Sequence, residues 1–578
     1  MKKFLYPLTV LCIFPQVQAQ SFQEVTTNIK NYGYSTVKAI DFDQDNYIDF
    51  VVCGDDLYYN TQCDIYKNDK GEFNFYQSLP YSAYLGDITF ANLSNNNTFD
   101  LLITGQNRAD IKNYKTYHYT FDQNKGFEIK EIIDKGKIYS SFANGDFNND
   151  GKVDVILNGI NNSGHDNDIA YSVDLLNLNS NKTEFEKQIG GSQNGDLVVA
   201  DFNNDGRLDL AVFGINGENE TEDAYGAFFK IYLQNKQGTF DLNQDLDGML
   251  YGSMITADFN ADGFMDIVAT GTDVYESPTT LYLVNDGNGK FTRNYLPSAA
   301  VNFSAVKSID AGDLNNDGYY DIIMAGDDDT GSASSTILLY NPTKETFDKV
   351  ENDFGIANFT ISTSLVLVDY NNDNQLDVLI SSQDENYEPK TALYQNLEKS
   401  INKKPLPPTV LKAEEKDNYI YFNWDGATDD KTPQKALQYE LSIGTEAGKA
   451  DVAKYTINTT SWMLVKDKLP KQFFWTIKAI DASKVYSIES EVAQFSTLGI
   501  VDNNIDFSLK IYPNPTTNEV TIESNSKIDK VEVYDLTGKK IMQNKTNKIY
   551  LEVFPKGVYI LKIYPEKGLP IEKKIIKK

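Results

Sequence analysis

Histidine is almost missing from this chain: two in 578 residues, His118 in "YKTYHYT" and His165 in "NSGHDND", far apart and without partner motifs. There is no Gly-x-Ser-x-Gly turn, no His-Glu-x-x-His pair and no phosphate loop, so the common signatures of serine hydrolases, zinc peptidases and nucleotide enzymes are absent. No catalytic or cofactor-binding residue is assigned. Cysteine is equally sparse. Of the three, Cys12 lies within an N-terminal apolar run, leaving Cys53 and Cys63, which either bridge two strands of a hairpin or stay as buried thiols. After residue 20 no stretch of about 18 apolar residues occurs, which excludes a later membrane-spanning helix. Basic residues are outnumbered 53 to 83, for a net charge of −30. Nucleic acid and anionic membrane would have to bind against that field, and neither is expected as a partner.

What is present begins with an export signal over residues 1–19: Lys2 and Lys3, an apolar run from Phe4 to Phe14, then "VQAQ". The mature chain is long enough for about three domains. It should be soluble, or held at a surface by other means than a transmembrane segment.

One motif recurs through most of it. Copies begin at residues 41, 92, 146, 201, 258, 313 and 369, as in "DFNNDGKVDVILNG", "DFNADGFMDIVATG" and "DLNNDGYYDIIMAG", spaced by 51 to 57 residues. Each is preceded by a short alternating strand and followed by one rich in Val, Ile and Leu. A third strand ("FKIYLQN", "TTLYLVN") and a fourth opening on Phe ("GTFDLN", "GKFTRN") complete the unit. Four short strands per unit, seven units and no helical period predict an all-β chain with a seven-bladed β-propeller over 20–400. The last unit ends at "TALYQN" without its fourth strand. The mature N-terminus, "SFQEVTT", has that strand's pattern, so residues 21–29 are expected to complete the last blade.

The recurring loop has the chemistry of a hard-cation site. Ca²⁺ takes six to eight oxygens, which side chains at positions 1, 3, 5 and 9 and the carbonyl of position 7 can supply, with a Gly or Asn at 6 permitting the turn. The expected ligands are Asp41, Asp43, Asp45 and Asp49; Asp146, Asn148, Asp150 and Asp154; Asp201, Asn203, Asp205 and Asp209; Asp258, Asn260, Asp262 and Asp266; Asp313, Asn315, Asp317 and Asp321; and Asp369, Asn371, Asp373 and Asp377. Asn46 and Asn374 replace the glycine in two of them. The copy at 92 keeps one carboxylate, Asp100, among Asn92, Ser94 and Asn96, and is expected to bind weakly or not at all. A lone loop of this kind is equally an ordinary Asx turn; regular recurrence favours metal. About six Ca²⁺ would bring the net charge to about −18 and act as structural ions.

These loops and strands resemble the FG-GAP/VCBS-type repeats of the integrin alpha-chain propeller and its bacterial relatives. That resemblance implies a propeller whose D-x-D-x-D-G-x-x-D loops bind calcium.

Residues 401–408 read as a Pro-rich linker. Over 409–498, "YIYFNWDG", "LQYELSIG" and "FFWTIKAID" resemble a fibronectin type III sandwich, with Trp424 and Tyr439 expected in its core and Phe473 or Phe474 in place of a corner tyrosine. After a second linker at 499–505, residues 506–578 form another small β-sandwich. "YPNP" at 512–515, "VYDLTGK" and "GVYILKI" are similar to the type A C-terminal sorting domain of the type IX secretion system of Bacteroidetes. This implies export by that machinery, then release or attachment at the cell surface.

The functional expectation is a secreted or cell-surface recognition protein for a glycan or an extracellular protein. Its ligand face would be built from the loops opposite the metal loops, including Tyr59, Tyr225 and Tyr275. The alternatives are a polysaccharide hydrolase or lyase working with carboxylates and tyrosines, and a purely structural surface component.

Overall fold

The computed structural model describes residues 21–578 except 59, 83, 94–97, 108–109, 134–135, 163–168, 177–188, 217–225, 276, 297–306, 329, 351–353, 361, 497–508, 525–526, 537–538 and 566–570. The expected signal peptide and the linker at 499–505 therefore lie outside the described residues. The chain is all-β and divides into two compact units, one ending at Ser496 and one starting at Thr497.

In the first unit each repeat is a meander of antiparallel strands paired in chain order. The first sheet is Gly33–Ile40, Asp49–Asp55, Thr61–Asp69 and Glu72–Ser78; the second is Tyr84–Ala91, Asp100–Asn107, Asp110–Asp122 and Gly126–Ile133. The third repeat has three described strands, Ile138–Gly145, Asp154–Asn162 and Ile169–Leu176. The sixth comprises Ile309–Gly312, Asp321–Asp327, Ala333–Asn341 and Thr346–Lys349. In the seventh, Ser364–Val368, Asp377–Gln383 and Pro389–Asn396 are joined by Phe22–Val25 from the N-terminus, with Phe22 opposite Asn396 and Val25 opposite Leu393.

The fourth and fifth repeats depart from separate four-stranded units. They share one long strand, Phe240–Ala257, whose first part pairs with Ala227–Gln234 and whose second pairs with Asp266–Asp273. A single seven-stranded sheet results, running from Leu197–Ala200 to Phe291–Tyr295. A register shift between Leu250 and Ser253, with Tyr251 at φ 55°, marks where the strand changes partner.

Second strands sit mid-sheet and are buried at every position in Asp49–Asp55, Asp209–Ile215, Asp321–Asp327 and Asp377–Gln383. Both faces pack on neighbouring sheets, which is why these segments read as continuous apolar runs rather than alternating ones. The packing order is cyclic. Gly33–Ile40 packs against Tyr84–Ala91 on one side and Ser364–Val368 on the other. The corresponding core between last and first repeats contains Val37, Phe50 and Tyr66 with Tyr370, Leu379 and Leu393. Cys53 and Cys63 face each other across adjacent strands and form a disulfide, which settles the two alternatives left open by sequence.

Residues 411–496 form a two-sheet sandwich. Leu411–Lys416, Tyr419–Trp424 and Ser461–Val465 face Ala453–Ile457, Gln438–Gly444, Gln472–Ile480 and Ala493–Ser496. Trp424, Tyr439, Phe473 and Trp475 fill its core, as their alternation with polar residues predicts. The second unit pairs Leu509–Tyr512, Glu519–Ser524 and Lys548–Tyr550 in one sheet and Lys540–Asn544, Ile528–Tyr534, Gly557–Pro565 and Ile571–Lys577 in the other. Its core includes Val520, Val533, Leu561 and Ile575.

Candidate functional site

The six complete loops share one hydrogen-bond plan. The position-1 carboxylate accepts the amides of positions 5 and 6: Asp258 takes Asp262 N at 3.0 Å and Gly263 N at 2.8 Å, and Asp41, Asp146, Asp201, Asp313 and Asp369 do the same. The position-5 aspartate accepts the amide of position 7, as Asp262 does from Phe264 at 2.9 Å. Position 6 is left-handed throughout. Asn46 (φ 70°) and Asn374 (φ 64°) adopt it where Gly263 (φ 95°) stands elsewhere, the geometry Asn tolerates best after Gly. Position 4 is left-handed as well, at Asn149, Asn204, Asn316 and Asn372, which sequence reading missed.

Position 9 opens the buried second strand. One oxygen of Asp209 accepts Phe202 N at 2.9 Å and the other Gln234 N at 2.8 Å; Asp49, Asp321 and Asp377 are held alike. Carboxylate oxygens of Asp41, Asp43 and Asp49 converge within 4.8 Å of one another, as do those of Asp369, Asp373 and Asp377. The loop at 369 converges although position 3 is Asn371; the loops at 146, 201, 258 and 313 also have Asn there (Asn148, Asn203, Asn260 and Asn315), and no such cluster of three is found in them among the described residues. Of the copy at 92, Ser94 and Asn96 lie outside the described residues; Asp100 is buried 3.7 Å from Nε2 of the equally buried His118.

Burial governs the charge state of these groups. It pushes Asp49, Asp209, Asp266 and Asp377 up to about 8, Asp154 to about 7, and Asp321 well above the carboxylate range. At position 1 it raises Asp146 to about 6, Asp201 and Asp258 to about 7 and Asp313 to about 8. Neighbouring carboxylates add to the rise and the amide hydrogen bonds oppose it. Such a loop needs protons or a cation at neutral pH. Asp43 Oδ1 is buried without a hydrogen-bond partner, an acceptor that suits a cation. Its Oδ2 contacts Lys67 Nζ, and Arg207 contacts Asp205 in the same manner, so a bound ion would share these oxygens with a side-chain cation.

Amide side chains stitch successive loops together. Asn149 Nδ2 donates to Gly206 O at 2.9 Å, Asn204 Nδ2 to Gly263 O at 3.1 Å, and Asn372 Nδ2 to Asn46 O at 2.9 Å, each reaching position 6 of the next loop. From the third strands, Gln234, Asn285 and Asn396 reach back to Phe147 O, Phe202 O and Leu314 O at 2.7, 2.8 and 2.9 Å. Asn68 Nδ2 makes the same bond to Tyr370 O at 2.8 Å, linking first repeat to last. The signal available in the sequence was the amide closing the third strand in "YKN", "YLQN", "YLVN" and "LYQN".

The sandwich lies against this loop face. Tyr455 donates its hydroxyl to Asp146 Oδ2 at 2.6 Å; Val465 N bonds Asn149 O at 2.8 Å; Asp313 N bonds Ala482 O at 2.9 Å; Lys435 Nζ bonds Asp262 O at 3.2 Å. The segment read as a Pro-rich linker at 401–408 also makes contacts: Asn402 is buried and donates to Asp481 Oδ2 at 2.8 Å.

On the other side the connections between second and third strands are tight Asx turns. Asp56 accepts the amides of Tyr58 and Asn60, Asp273 those of Tyr275 and Ser277, Asp328 those of Thr330 and Ser332, and Asp384 those of Asn386 and Glu388. At their tips Tyr58 (81 %), Tyr275 (80 %) and Tyr387 (61 %) are exposed. Tyr59 and Tyr225 lie outside the described residues, as does His165.

Family comparison bears on both ends of this architecture. Residues 146–212, 258–324 and 313–380 match the FG-GAP-like repeat, and residues 510–578 match the secretion system C-terminal sorting domain. The chain carries FG-GAP-like repeats and a type IX sorting domain. It is a secreted or cell-surface protein handled by that machinery, and no helix among the described residues is long and apolar enough to cross a membrane. No curated protein matches the chain. Among solved structures it is similar to the extracellular domain assigned to the hybrid two component system BT3049 of B. thetaiotaomicron, at 12 % identity and TM-score 0.35, covering 82 % of this chain and 57 % of that one. A second similarity is to the FN1–FN3 domains of chicken CNTN1, at 12 % identity and TM-score 0.17, covering 49 % of this chain and 100 % of that one. The chain thus spans little more than half the length of the first of these.

Proposed function

We propose that the mature protein is a seven-bladed, integrin alpha-like β-propeller stiffened by about six Ca²⁺, carrying a fibronectin type III-like sandwich, and that it binds a glycan or extracellular protein ligand at the cell surface. The cyclic packing of the repeats, the N-terminal strand paired into the last of them and the Asn68 bond between first and last loops support the closed ring. The Asp-rich loops, with buried carboxylates raised by desolvation and the orphan Asp43 oxygen, support the ions.

One observation carries the recognition role. The sandwich covers the metal-loop side, while Tyr58, Tyr275 and Tyr387 stand exposed on rigid turns of the other side. Aromatic rings on short rigid turns lose little freedom on binding and can stack on sugar faces or anchor a protein contact. A glycan array and a pull-down from surface extracts, run with the wild type and the Tyr58→Ala/Tyr275→Ala/Tyr387→Ala variant, test it. Binding should be lost in the triple variant; ligand capture that survives it overturns the assignment of this face.

A further inference from the structure

The first strands of the repeats surround a cavity of about 310 Å³, closed at one side by the sandwich through Gln438 and Lys484. Its size falls at the lower end of small-ligand pockets, about 300–1,000 Å³, so it takes one small molecule and no polymer. Three ammonium groups line it, from Lys38, Lys307 and Lys484, in a protein whose net charge is −30.

The carboxylates nearby are already engaged. Asp310 accepts Ala311 N and Leu367 N, each at 2.8 Å, and pairs with Lys484 Nζ at 3.0 Å. Asp196 accepts Leu197 N at 2.8 Å and Met254 N at 2.9 Å, and pairs with Lys307 Nζ at 3.2 Å. Asp87 uses its two oxygens on Ile88 N at 2.8 Å and Phe142 N at 2.9 Å. Lys38 is left over. Among the described residues its ammonium makes no hydrogen bond and no ion pair, and burial weighs against its charged form. It stands three residues before its Asp-rich loop, where other repeats place Thr89, Ala143, Val198, Ile255, Asp310 and Val366. An ammonium with three donors and no side-chain partner, in a cavity that two further lysines line, is suited to an anion that enters it.

We propose that this cavity binds a small oxyanion, a carboxylate or a phosphate-type group, held by Lys38 with Lys307 and by Lys484 from the sandwich. The anion bridges the repeats to the sandwich, so it fastens that domain over the loop face. This rests on the cavity and its lysines alone; it does not require the ligand face or the calcium ions.

The test is calorimetry and thermal unfolding of chain 21–578 with succinate and with methylphosphonate, against sodium chloride at equal ionic strength. One of the two anions should bind with a stoichiometry of one and raise the unfolding midpoint; which one does identifies the anion class. Lys38→Met should weaken binding by about tenfold or more, the loss of a charge-assisted hydrogen bond, and Lys38→Arg should retain it. Lys484→Gln, on the sandwich with a side chain 39 % exposed, should weaken it similarly and covers the case where Lys38→Met fails to fold. Absence of a heat and a shift with both anions, or unchanged affinity in Lys484→Gln and in a folded Lys38→Met, overturns the proposal.

Discussion

Asn68 shows how much a single side chain can carry in this fold. Its Nδ2 reaches Tyr370 O at 2.8 Å and Ile48 O at 3.1 Å, while its Oδ1 accepts Gly71 N at 2.7 Å. Asn68→Ala leaves buried carbonyls unpaired at the junction of first and last repeats, and should lower stability by about 1–3 kcal/mol in denaturant unfolding. Glu532 plays a comparable part in the sorting domain. Tyr534 and Tyr564 donate to it at 2.7 and 2.8 Å, and Lys530 and Lys540 approach at 3.1 and 3.2 Å. The tyrosine hydroxyls hold its carboxyl down at about 2. A carboxylate depressed on folding stabilises above its unfolded pKa, and that stability is lost as pH falls through the folded value. The sorting domain should therefore weaken between about pH 4.5 and pH 2, and Glu532→Gln should flatten that part of a pH–stability curve; an unchanged curve counts against this role. Neither role is fully visible in the sequence, because Tyr370 for Asn68, and Tyr564 and Lys540 for Glu532, come from other strands or loops.

Each Asp-rich loop is a local object, and most of its backbone plan was legible. Positions 1, 3, 5, 6 and 9 could be read from spacing because Asp, Asn and Gly at those intervals satisfy one turn's backbone. Position 4 was not legible: its left-handed residues are Asn in four loops, but Gln44 and Ala261 in two others, so residue type alone does not signal it. The loops also make a joint prediction for pH and calcium. With position-9 carboxyls raised to about 8 at Asp49, Asp209, Asp266 and Asp377, folding takes up protons. In calcium-stripped protein stability should be fully expressed only below about pH 4 and fall as pH rises through about 8. If calcium takes the place of those protons, as proposed, the gap between melts with and without millimolar calcium should widen from pH 5 to pH 8. At tenfold to a hundredfold excess over a site's Kd the gain is about 1.4–2.7 kcal/mol per site. Coincident melts at pH 8 contradict calcium as a structural ion.

Export depends on the last unit. Removing residues 510–578 should leave a folded protein that accumulates inside the cell envelope, whereas the full chain appears at the surface or in the medium; cell fractionation distinguishes the two. Surface arrival without those residues would separate the sorting domain from export. The FG-GAP-like repeats, the strand missing from the last repeat and the sorting domain were all readable in the amino-acid order. Each is a short-range pattern that repeats or stands complete within a few dozen residues. The covering of the loop face by the sandwich, the amides linking repeat to repeat, the Cys53–Cys63 bond and the lysine-lined cavity were settled only on folding. The sandwich contacts and the cavity join residues such as Tyr455 and Asp146, or Lys38 and Lys484, hundreds of positions apart, which leave no periodic trace; the disulfide spans ten residues but depends on strand register, and the amides recur without showing which carbonyl they reach.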